Sequence, residues 1–223
     1  MLELYSETKL PTSFGEFLVQ VFRDEEGVEH LAISVGDLNA DGPCLARVHS
    51  ACFTGEALSS LRCDCKAQLE QALVQIQGEG RGVVFYLFQE GRGIGLGNKI
   101  RAYALQEQGH DTVDANLELG FPEDLRSYDP VSEICAALGI QQLRLMTNNP
   151  EKLKALQALG LQISERVPLE VGRNAVNAGY LDTKAARMGH LLEEAPKTSY
   201  QSPDGVITNE REDSRSSEKE QLS

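Results

Sequence analysis

Residues 129–167 read DPVSEICAALGIQQLRLMTNNPEKLKALQALGLQISERV, and in this stretch helical and extended patterns alternate. Asp129-Pro130 supplies a cap and a first-turn proline, which predicts a helix over 129–138. The run 142–146 predicts a strand, and Thr147-Asn148-Asn149-Pro150 repeats the start signal for a helix to residue 159. A further strand is predicted over 161–167. This alternation is typical of an α/β sheet whose functional loops follow the strand ends.

The chain before this stretch predicts a different kind of pairing. Residues 15–23, 28–36 and 43–50 alternate apolar and polar side chains or carry β-branched ones. Gly27 and the stretch Asn39-Ala40-Asp41-Gly42 separate these three segments. We therefore expect antiparallel strands at the start of the sheet.

The middle of the chain predicts a helix, a buried strand and a glycine-rich loop. Apolar residues recur at helical spacing from residue 64 to about residue 80, and GVVFYLF at 82–88 predicts a short buried strand. The loop 89–97 follows, and Asn98 is expected to cap a helix to residue 108. A last helix is predicted near 181–191. The expected fold class is therefore α/β (α+β-like), a mixed sheet with antiparallel N-terminal strands followed by strand–helix units.

Composition indicates one globular domain over residues 1–192 and an acidic tail over 193–223 that we expect to be disordered. The 223 residues carry a formal net charge of −13, and the tail contributes −4 of it through eight acids and four bases. The acidic body excludes a nucleic-acid duplex as the expected partner. Five cysteines, three of them clustered, favour a reducing compartment. With no signal peptide and no apolar run of membrane-spanning length, we expect a cytoplasmic protein without a membrane partner.

The spacing Cys52-x10-Cys63-x-Cys65 is the strongest sign of chemistry in the chain. Three sulfur ligands without a neighbouring fourth Cys or His suit a zinc site that keeps one position open for water. A structural zinc site with a distant fourth ligand, or buried free thiols, would explain the same spacing. A disulfide between Cys63 and Cys65 would be strained and is the poorer interpretation. Cys44 and Cys135 lie in apolar contexts and are predicted to fill the core.

Two loops and one lysine suggest a phosphorylated ligand. In the loop 89–97 small residues precede a predicted helix, which fits either an anion-binding loop or a plain turn. Glu90 in this loop could accept two N–H bonds from a guanine edge. Lys152 follows the start of a helix, a position that indicates a bound anion or else a solvated surface lysine. The loop 122–128 concentrates a carboxylate, a guanidinium and a phenol, but exposed loop charges alone are weak evidence.

Four motifs together resemble the GTP cyclohydrolase II family of riboflavin biosynthesis. They are ARVHSACFTGEALSSLRCDC, QEGRGIGLGNKIRAYALQEQGHDTVDAN, LRLMTNNPEK and ERVPLEVGRN. The similarity extends from about Lys9 to His190 in the same order. It implies zinc-dependent opening of the guanine imidazole ring of GTP, with release of formate and pyrophosphate, by a homodimer.

The resemblance also implies roles for individual residues. Cys52, Cys63 and Cys65 correspond to the ligands of one zinc ion per subunit, and Mg²⁺ is expected with the GTP triphosphate. Asp124 corresponds to the proton acceptor, Arg126 to a proposed nucleophile on the α-phosphorus, and Tyr103 to a further active-site residue. A phosphate clamp is the physically simpler role for Arg126, because a guanidinium is essentially always protonated. The nucleotide-binding positions implied are Arg47, Val48, His49, Ser50, Ala51, Gln68, Glu90, Gly91, Arg92, Thr112, Thr147 and Lys152.

Three residues depart from the family pattern. Ala51 stands where the family usually has Glu, Lys66 where it has Gly, and Phe88 where an Arg is common. None of them removes a predicted metal ligand or acid/base group. They leave three alternatives open: a partial reaction that opens the ring without releasing formate, a related purine nucleotide as substrate, or a nucleotide-binding zinc protein without turnover.

Overall fold

The computed structural model of the protein describes residues 1–110, 112–122 and 124–178, and of Thr112 and Val113 it describes only the backbone. The helix predicted near 181–191 and the tail 193–223 lie outside the described residues. Within the described part, no helix is both long and apolar enough to cross a membrane.

Seven strands form one mixed sheet in the order β1-β2-β3-β5-β4-β6-β7. Pairing is antiparallel from the first strand through the second and third to the fifth, and parallel from the fifth through the fourth and sixth to the seventh. The antiparallel opening and the mixed sheet predicted from the sequence are thus confirmed. The strands are β1 (Glu3–Thr12), β2 (Gly15–Arg23), β3 (Glu29–Val35), β4 (Cys44–Ser50), β5 (Gly82–Leu87), β6 (Gln142–Met146) and β7 (Gln162–Val167).

Helices cover both faces of this sheet, as expected for parallel strands joined by crossovers. A 3₁₀ helix at Glu90–Gly93 precedes the third α-helix. The α-helices of the described residues are α1 (Phe53–Glu56), α2 (Cys65–Glu79), α3 (Gly95–Gln106), α4 (Thr112–Glu118), α5 (Asp129–Ala137) and α6 (Pro150–Ala158).

Strand β5 shows how the core divides between the two faces. Val83 and Phe85 point into a cluster that includes the apolar face of α5, whereas Val84 lies in a second cluster with the apolar face of α2. This period of two on a fully buried strand explains why GVVFYL has apolar residues on both faces. Cys44 and Cys135 are buried in the first cluster, which confirms their predicted place in the core.

The structure corrects the predicted start of α3. The helix begins at Gly95, three residues before the expected cap, and Asn98 lies inside it. The Asn98 side chain donates from Nδ2 to the carbonyl of Ile94 at 2.9 Å. An asparagine four residues into a helix can thus bond back to the first turn, so its presence did not mark the helix end.

Four elements were not predicted, namely β1, α1, the 3₁₀ helix at Glu90–Gly93 and α4, and α5 begins differently from its prediction. All ten residues of β1 are exposed, so its side chains give no buried alternation, and its register comes from pairing with β2. The short helix α4 was also missed. In α5 the N-cap is Tyr128, and Asp129 is already helical.

The carboxyl ends of three neighbouring parallel strands define one edge of the sheet. Strand β4 leads into Ala51 and Cys52, β5 into the loop 89–94, and β6 into Thr147 and Asn148. Loops at such ends are where ligands bind in open α/β sheets.

Candidate metal and nucleotide site

Three sulfur atoms converge at this edge. Cys52 follows β4, Cys65 begins α2, and Cys63 lies in the turn between them. Their Sγ atoms all lie within 4.8 Å of one another, and those of Cys52 and Cys63 are 3.6 Å apart. No disulfide joins them. Three soft sulfur donors at this separation fit a single Zn²⁺ ion, and they form the only Cys/His/Asp/Glu cluster of this kind among the described residues.

The three thiols do not ionise equally. Hydrogen bonds from Cys63 and Cys65, together with the charge of Lys99, hold the pKa of Cys52 well below its ordinary value. The same hydrogen bond to Cys52 raises the pKa of Cys63 to about 11, and the bonds among the sulfurs also raise the pKa of Cys65. A metal ion held by all three sulfurs would have to displace the protons that remain on these thiols.

Lys99 and Glu90 lie directly beside the sulfurs. The Lys99 ammonium donates to Cys52 Sγ at 3.1 Å and to Glu90 Oε1 at 2.7 Å. Burial opposes the charge on Lys99, but the bond to Glu90 and the charge on Cys52 outweigh it and raise the lysine pKa. Sequence reasoning missed this residue, although Lys99 and Tyr103 stand four apart and so share one face of α3.

The Glu90 carboxylate, which was predicted to bind a guanine edge, already accepts several hydrogen bonds within the protein. Besides Lys99, its carboxylate accepts from the backbone N–H of Phe53 at 2.6 Å and of Gly91 at 2.9 Å. A carboxylate has about four acceptor positions, so about one is left for a ligand. The guanine contact of Glu90 stays a prediction, and its contacts here hold the loop 89–94 against α1.

That loop has an unusual backbone. Gly91 and Arg92 both adopt left-handed conformations, with φ of 63° and 60°. Glycine does so without cost, whereas an arginine there stores strain of roughly 1 kcal/mol or more. Such strain at a ligand-facing loop fits a binding loop better than a plain turn.

A cavity of about 540 Å³ joins these features. Despite the acidity of the whole chain, six cationic side chains and two carboxylates line it. Of the residues predicted for the site, the structure brings these to its wall: Arg47, His49, Ser50, Ala51, Cys52, Cys63, Cys65, Gln68, Glu90, Gly91, Arg92, Tyr103, Arg126, Thr147 and Lys152.

Three predicted residues do not join this wall in the same way. Val48 is fully buried in the core, and only its carbonyl takes part, as acceptor of a 2.7 Å bond from the Lys152 ammonium. Asp124 reaches the cavity through Arg126. The side chain of Thr112 lies outside the described part.

Two buried cations arise from β4 and α6. Arg47 donates to the carbonyl of Met146 at 2.8 Å and to the Gln68 side chain, and burial lowers its pKa to about 10. Arg47 Nε has no hydrogen-bond partner among the described residues. Lys152 is only 5% exposed, so the surface-lysine alternative is wrong. Asn149 caps α6 by accepting from the backbone N–H of Lys152 and its neighbour, as predicted.

Asp124 and Arg126 bind each other. Arg126 Nε donates to Asp124 Oδ1 at 2.9 Å, and its backbone N–H reaches the same oxygen at 3.0 Å. Burial opposes ionisation of Asp124, but its bonds to Arg126 outweigh this and lower the carboxyl pKa. A lowered pKa makes Asp124 a weaker base than a free carboxylate, and its role as proton acceptor stays a prediction. Tyr103 shifts the other way, since burial raises its pKa and keeps the phenol protonated.

A polar network beneath the cavity was not predicted. His49 Nε2 lies 2.8 Å from Glu56 Oε1, which also accepts from the backbone N–H of Cys52 at 3.0 Å, and Tyr86 donates to the other oxygen. Burial lowers the pKa of His49, so the ring is neutral at pH 7. The network ties the end of β4 to α1 and so fixes Cys52. No spacing rule in the sequence pointed to Glu56 or Tyr86.

Comparison with known proteins identifies the family of the chain. The sequence model of GTP cyclohydrolase II matches residues 3–168. The chain belongs to the GTP cyclohydrolase II family. This confirms the resemblance expected from the four motifs and makes the chain an enzyme.

Relatives named GTP cyclohydrolase-2 match most of the chain. The relative from Klebsiella pneumoniae is 55% identical over 196 residues, which cover 87% of this chain and 98% of the relative. The relative from Pseudomonas aeruginosa is 58% identical over 83% of this chain and 91% of its own length. The relative from Shewanella sediminis is 51% identical over 86% of this chain and 95% of its own length. Among solved structures, a two-domain 3,4-dihydroxy-2-butanone 4-phosphate synthase from A. baumannii is 17% identical, with a TM-score of 0.42 over 74% of this chain and 40% of that one.

The three departures from the GTP cyclohydrolase II pattern differ in position. Ala51 lines the cavity, and Lys66 and Phe88 are not among its lining residues. Lys66 donates to Ser59 at 3.0 Å, and Phe88 packs edge-on against Tyr86 and is 50% exposed. Only Ala51 therefore has direct access to a bound ligand.

Proposed function

We propose that this protein catalyses the first step of riboflavin biosynthesis, the conversion of GTP to formate, pyrophosphate and a diamino-ribosylamino-pyrimidinone 5′-phosphate. The observation that carries the proposal is the sulfur cluster of Cys52, Cys63 and Cys65 in the wall of a cation-lined cavity. At about 540 Å³ the cavity is large enough for one nucleotide, since ligand pockets typically measure about 300–1,000 Å³.

The three cysteines would hold one zinc ion. When bound, zinc supplies a Lewis acid that activates water at neutral pH and polarises the purine carbon under attack. The chain would contribute three sulfur ligands from the cavity wall, which would leave a coordination position for water or substrate. The network of His49, Glu56 and Tyr86 fixes the backbone of Cys52, which limits movement of that ligand.

The cations of the wall suit a triphosphate. Arg47 and Lys152 are buried and held by carbonyl oxygens, so their positions in the cavity wall are fixed before an anion binds. Arg126, aligned by Asp124, is the proposed clamp on the α-phosphate while water attacks. Mg²⁺ on the triphosphate would offset charge that these side chains leave uncompensated. The other cavity residues implied by the family, with Thr112, are proposed to contact the nucleotide.

Three water molecules are consumed in the proposed reaction. One opens the imidazole ring at C8–N9, a second releases that carbon as formate, and a third releases pyrophosphate. Protons leave the attacking waters and enter the departing nitrogens. Tyr103, protonated at neutral pH, can donate a proton or a hydrogen bond, and Asp124 is the proposed acceptor.

The test is a product assay with purified protein, GTP and Mg²⁺, followed by mass spectrometry and metal analysis. We expect one zinc per chain and a product that has lost both formate and pyrophosphate. Cys63→Ser should lose zinc and turnover, whereas Cys135→Ala, which alters a buried cysteine of the core, should keep both. Turnover that persists after removal of zinc would refute the proposal.

A partial reaction is the second candidate, and Ala51 favours it. A cavity-lining alanine removes a carboxylate that the family usually places beside the first metal ligand, which could change how Mg²⁺ or water is held. A product that retains the formyl carbon would support this candidate. Bound zinc with GTP binding and no chemical change would instead indicate a nucleotide-binding protein. We also propose a cytoplasmic homodimer, which light scattering of the purified protein tests for its stoichiometry.

A further inference from the structure

Lys99 contacts the sulfur of Cys52 directly, whereas the polar network contacts its backbone N–H. Lys99 projects from α3, and its Nζ atom lies 3.1 Å from Cys52 Sγ. The side chain is only 12% exposed. A lysine this buried is rare unless it is paired, and here its partners are a metal-ligand sulfur and a carboxylate.

Glu90 holds this lysine in place. The carboxylate is 15% exposed and lies 2.7 Å from Lys99 Nζ. It is itself fixed by the backbone N–H groups of Phe53 and Gly91, which belong to two different segments. The ammonium is therefore positioned before any ligand binds.

The charge of a three-thiolate metal site explains why a lysine would be placed beside it. Three thiolates around one divalent ion carry a net charge of −1, and all three cysteines are at least partly buried. A net charge in such a place is costly unless an opposite charge is near. The ammonium of Lys99 places an opposite charge directly against Cys52, and the Glu90 carboxylate that pairs with this ammonium holds it there.

We propose that Lys99 is a positioning residue that stabilises the thiolate of Cys52 and orients it in the three-cysteine metal site, and that Glu90 acts by holding Lys99. This inference rests on the proposed zinc site. The cysteine spacing gives no sign of Lys99 or Glu90, because neither residue would bind the metal directly.

The test measures zinc affinity by competition with a chromophoric chelator. Lys99→Met keeps the aliphatic stem but removes the charge, and we expect zinc affinity to fall about 10- to 100-fold, as is typical when an outer partner of a ligand is lost. Lys99→Arg keeps the charge and should recover most of the affinity. Lys154→Met is the control, because Lys154 forms a lysine–glutamate contact of the same 2.7 Å length with Glu151 at the surface.

Glu90→Gln should weaken zinc binding less than Lys99→Met, and the double variant should be no weaker than Lys99→Met alone, because Glu90 acts through the lysine. Thermal unfolding of each zinc-free protein separates loss of folding from loss of metal affinity. If Lys99→Met binds zinc within twofold of the unaltered protein, or if Lys99→Arg is no better than Lys99→Met, the inference is wrong. If the unaltered protein binds no stoichiometric zinc, the proposed function fails instead.

Discussion

Gly55 leaves room for two of the three sulfur atoms. A Cβ atom at this position would lie 2.9 Å from Cys63 Sγ and 3.2 Å from Cys52 Sγ. We expect Gly55→Ala to push the sulfurs apart and to weaken zinc binding by about 1–3 kcal/mol, the usual cost of overpacking. The measurement is zinc affinity by chelator competition. Gly78→Ala is the control, because a Cβ there meets nothing within 4 Å; equal affinities of the two variants would contradict the prediction.

Arg126 allows the covalent and the clamping roles to be separated. Its bonds to Asp124 orient the guanidinium, and a group that stays protonated is a poor nucleophile. We expect Arg126→Lys to keep pyrophosphate release while lowering kcat/KM about 10- to 1,000-fold, because a lysine loses the bidentate geometry. Pyrophosphate is measured directly. Complete loss of its release, with GTP binding intact, would favour the covalent role.

His30 makes stability depend on pH away from the site. Burial lowers the pKa of its ring below the ordinary 6.5, although the charge of Asp24 partly opposes this. Its Nδ1 atom accepts from the backbone N–H of Phe88 at 3.2 Å, so the folded state prefers the neutral ring. Because the unfolded chain binds this proton more readily, stability is complete above pH 6.5 and falls as the pH drops from there toward the folded pKa.

The corresponding variant is His30→Gln. One proton changes the unfolding free energy by at most about 1.4 kcal/mol per pH unit. We expect the unfolding free energy of the variant to depend less on pH between pH 6.5 and pH 5, by up to this amount per unit. Urea unfolding of the zinc-free protein over this range measures it. The pKa of His49 is also lowered by burial, and the variant keeps this histidine. The stability of the variant should therefore still fall with pH, but less steeply than that of the unaltered protein. Identical slopes would show that His30 does not titrate as described.

Among the secondary-structure elements, sequence patterns predicted those features that depend on residues close together in the chain. Asn149 and Pro150 marked the start of α6 correctly, because capping involves groups two and three residues apart. The ten exposed residues of β1 gave no pattern, because its partner strand alone defines it. The contact of Lys99 with Cys52 spans 47 residues, a separation that no local spacing encodes. The convergence of the three cysteines could therefore be predicted, whereas the residues that contact them required the fold.

The cap of α6 links helix stability to the site. Asn149 accepts from the backbone N–H of Glu151 at 3.0 Å and of Lys152 at 3.4 Å. We expect Asn149→Ala to cost about 1 kcal/mol of unfolding free energy. It should also weaken GTP binding, because Lys152 stands in the turn that would loosen. Denaturant unfolding and a GTP titration measure the two effects. Asn149→Ser retains a capping oxygen and should restore stability, and an alanine variant as stable as the unaltered protein would refute the role of the cap.

On the scale of the whole molecule, an acidic protein surrounds a cationic cavity. The net charge of −13 disfavours polyanions at large, and we expect the buried cations of β4 and α6 to offer a local site for one small anion. The sheet makes this possible because the carboxyl ends of β4, β5 and β6 lie side by side. Overall charge gave no sign of this cavity, and only the strand order could show where the cationic side chains gather.

The C-terminal segment after residue 192 is a part of the chain that we expect the site not to need. The Klebsiella pneumoniae relative is covered to 98% by 87% of this chain, so about an eighth of the chain has no counterpart there. The residues 193–223 are polar and acidic, with few groups that could enter a core. We propose that the catalytic domain ends at residue 192, and we expect a chain cut there to keep its zinc content, kcat/KM and thermal stability.

A shorter chain serves as the contrast. Leu169 is 1% exposed beside the α2 cluster, and its backbone exchanges bonds with Asn148 of the cavity wall at 2.8 and 3.0 Å. A chain cut after Val167 removes this residue and leaves the polar atoms of Asn148 without these partners. We expect it to lose at least about 2–5 kcal/mol of stability from the buried leucine alone, and its GTP turnover with it. Impaired zinc binding or turnover in the chain cut at residue 192 would show that the acidic segment belongs to the working enzyme.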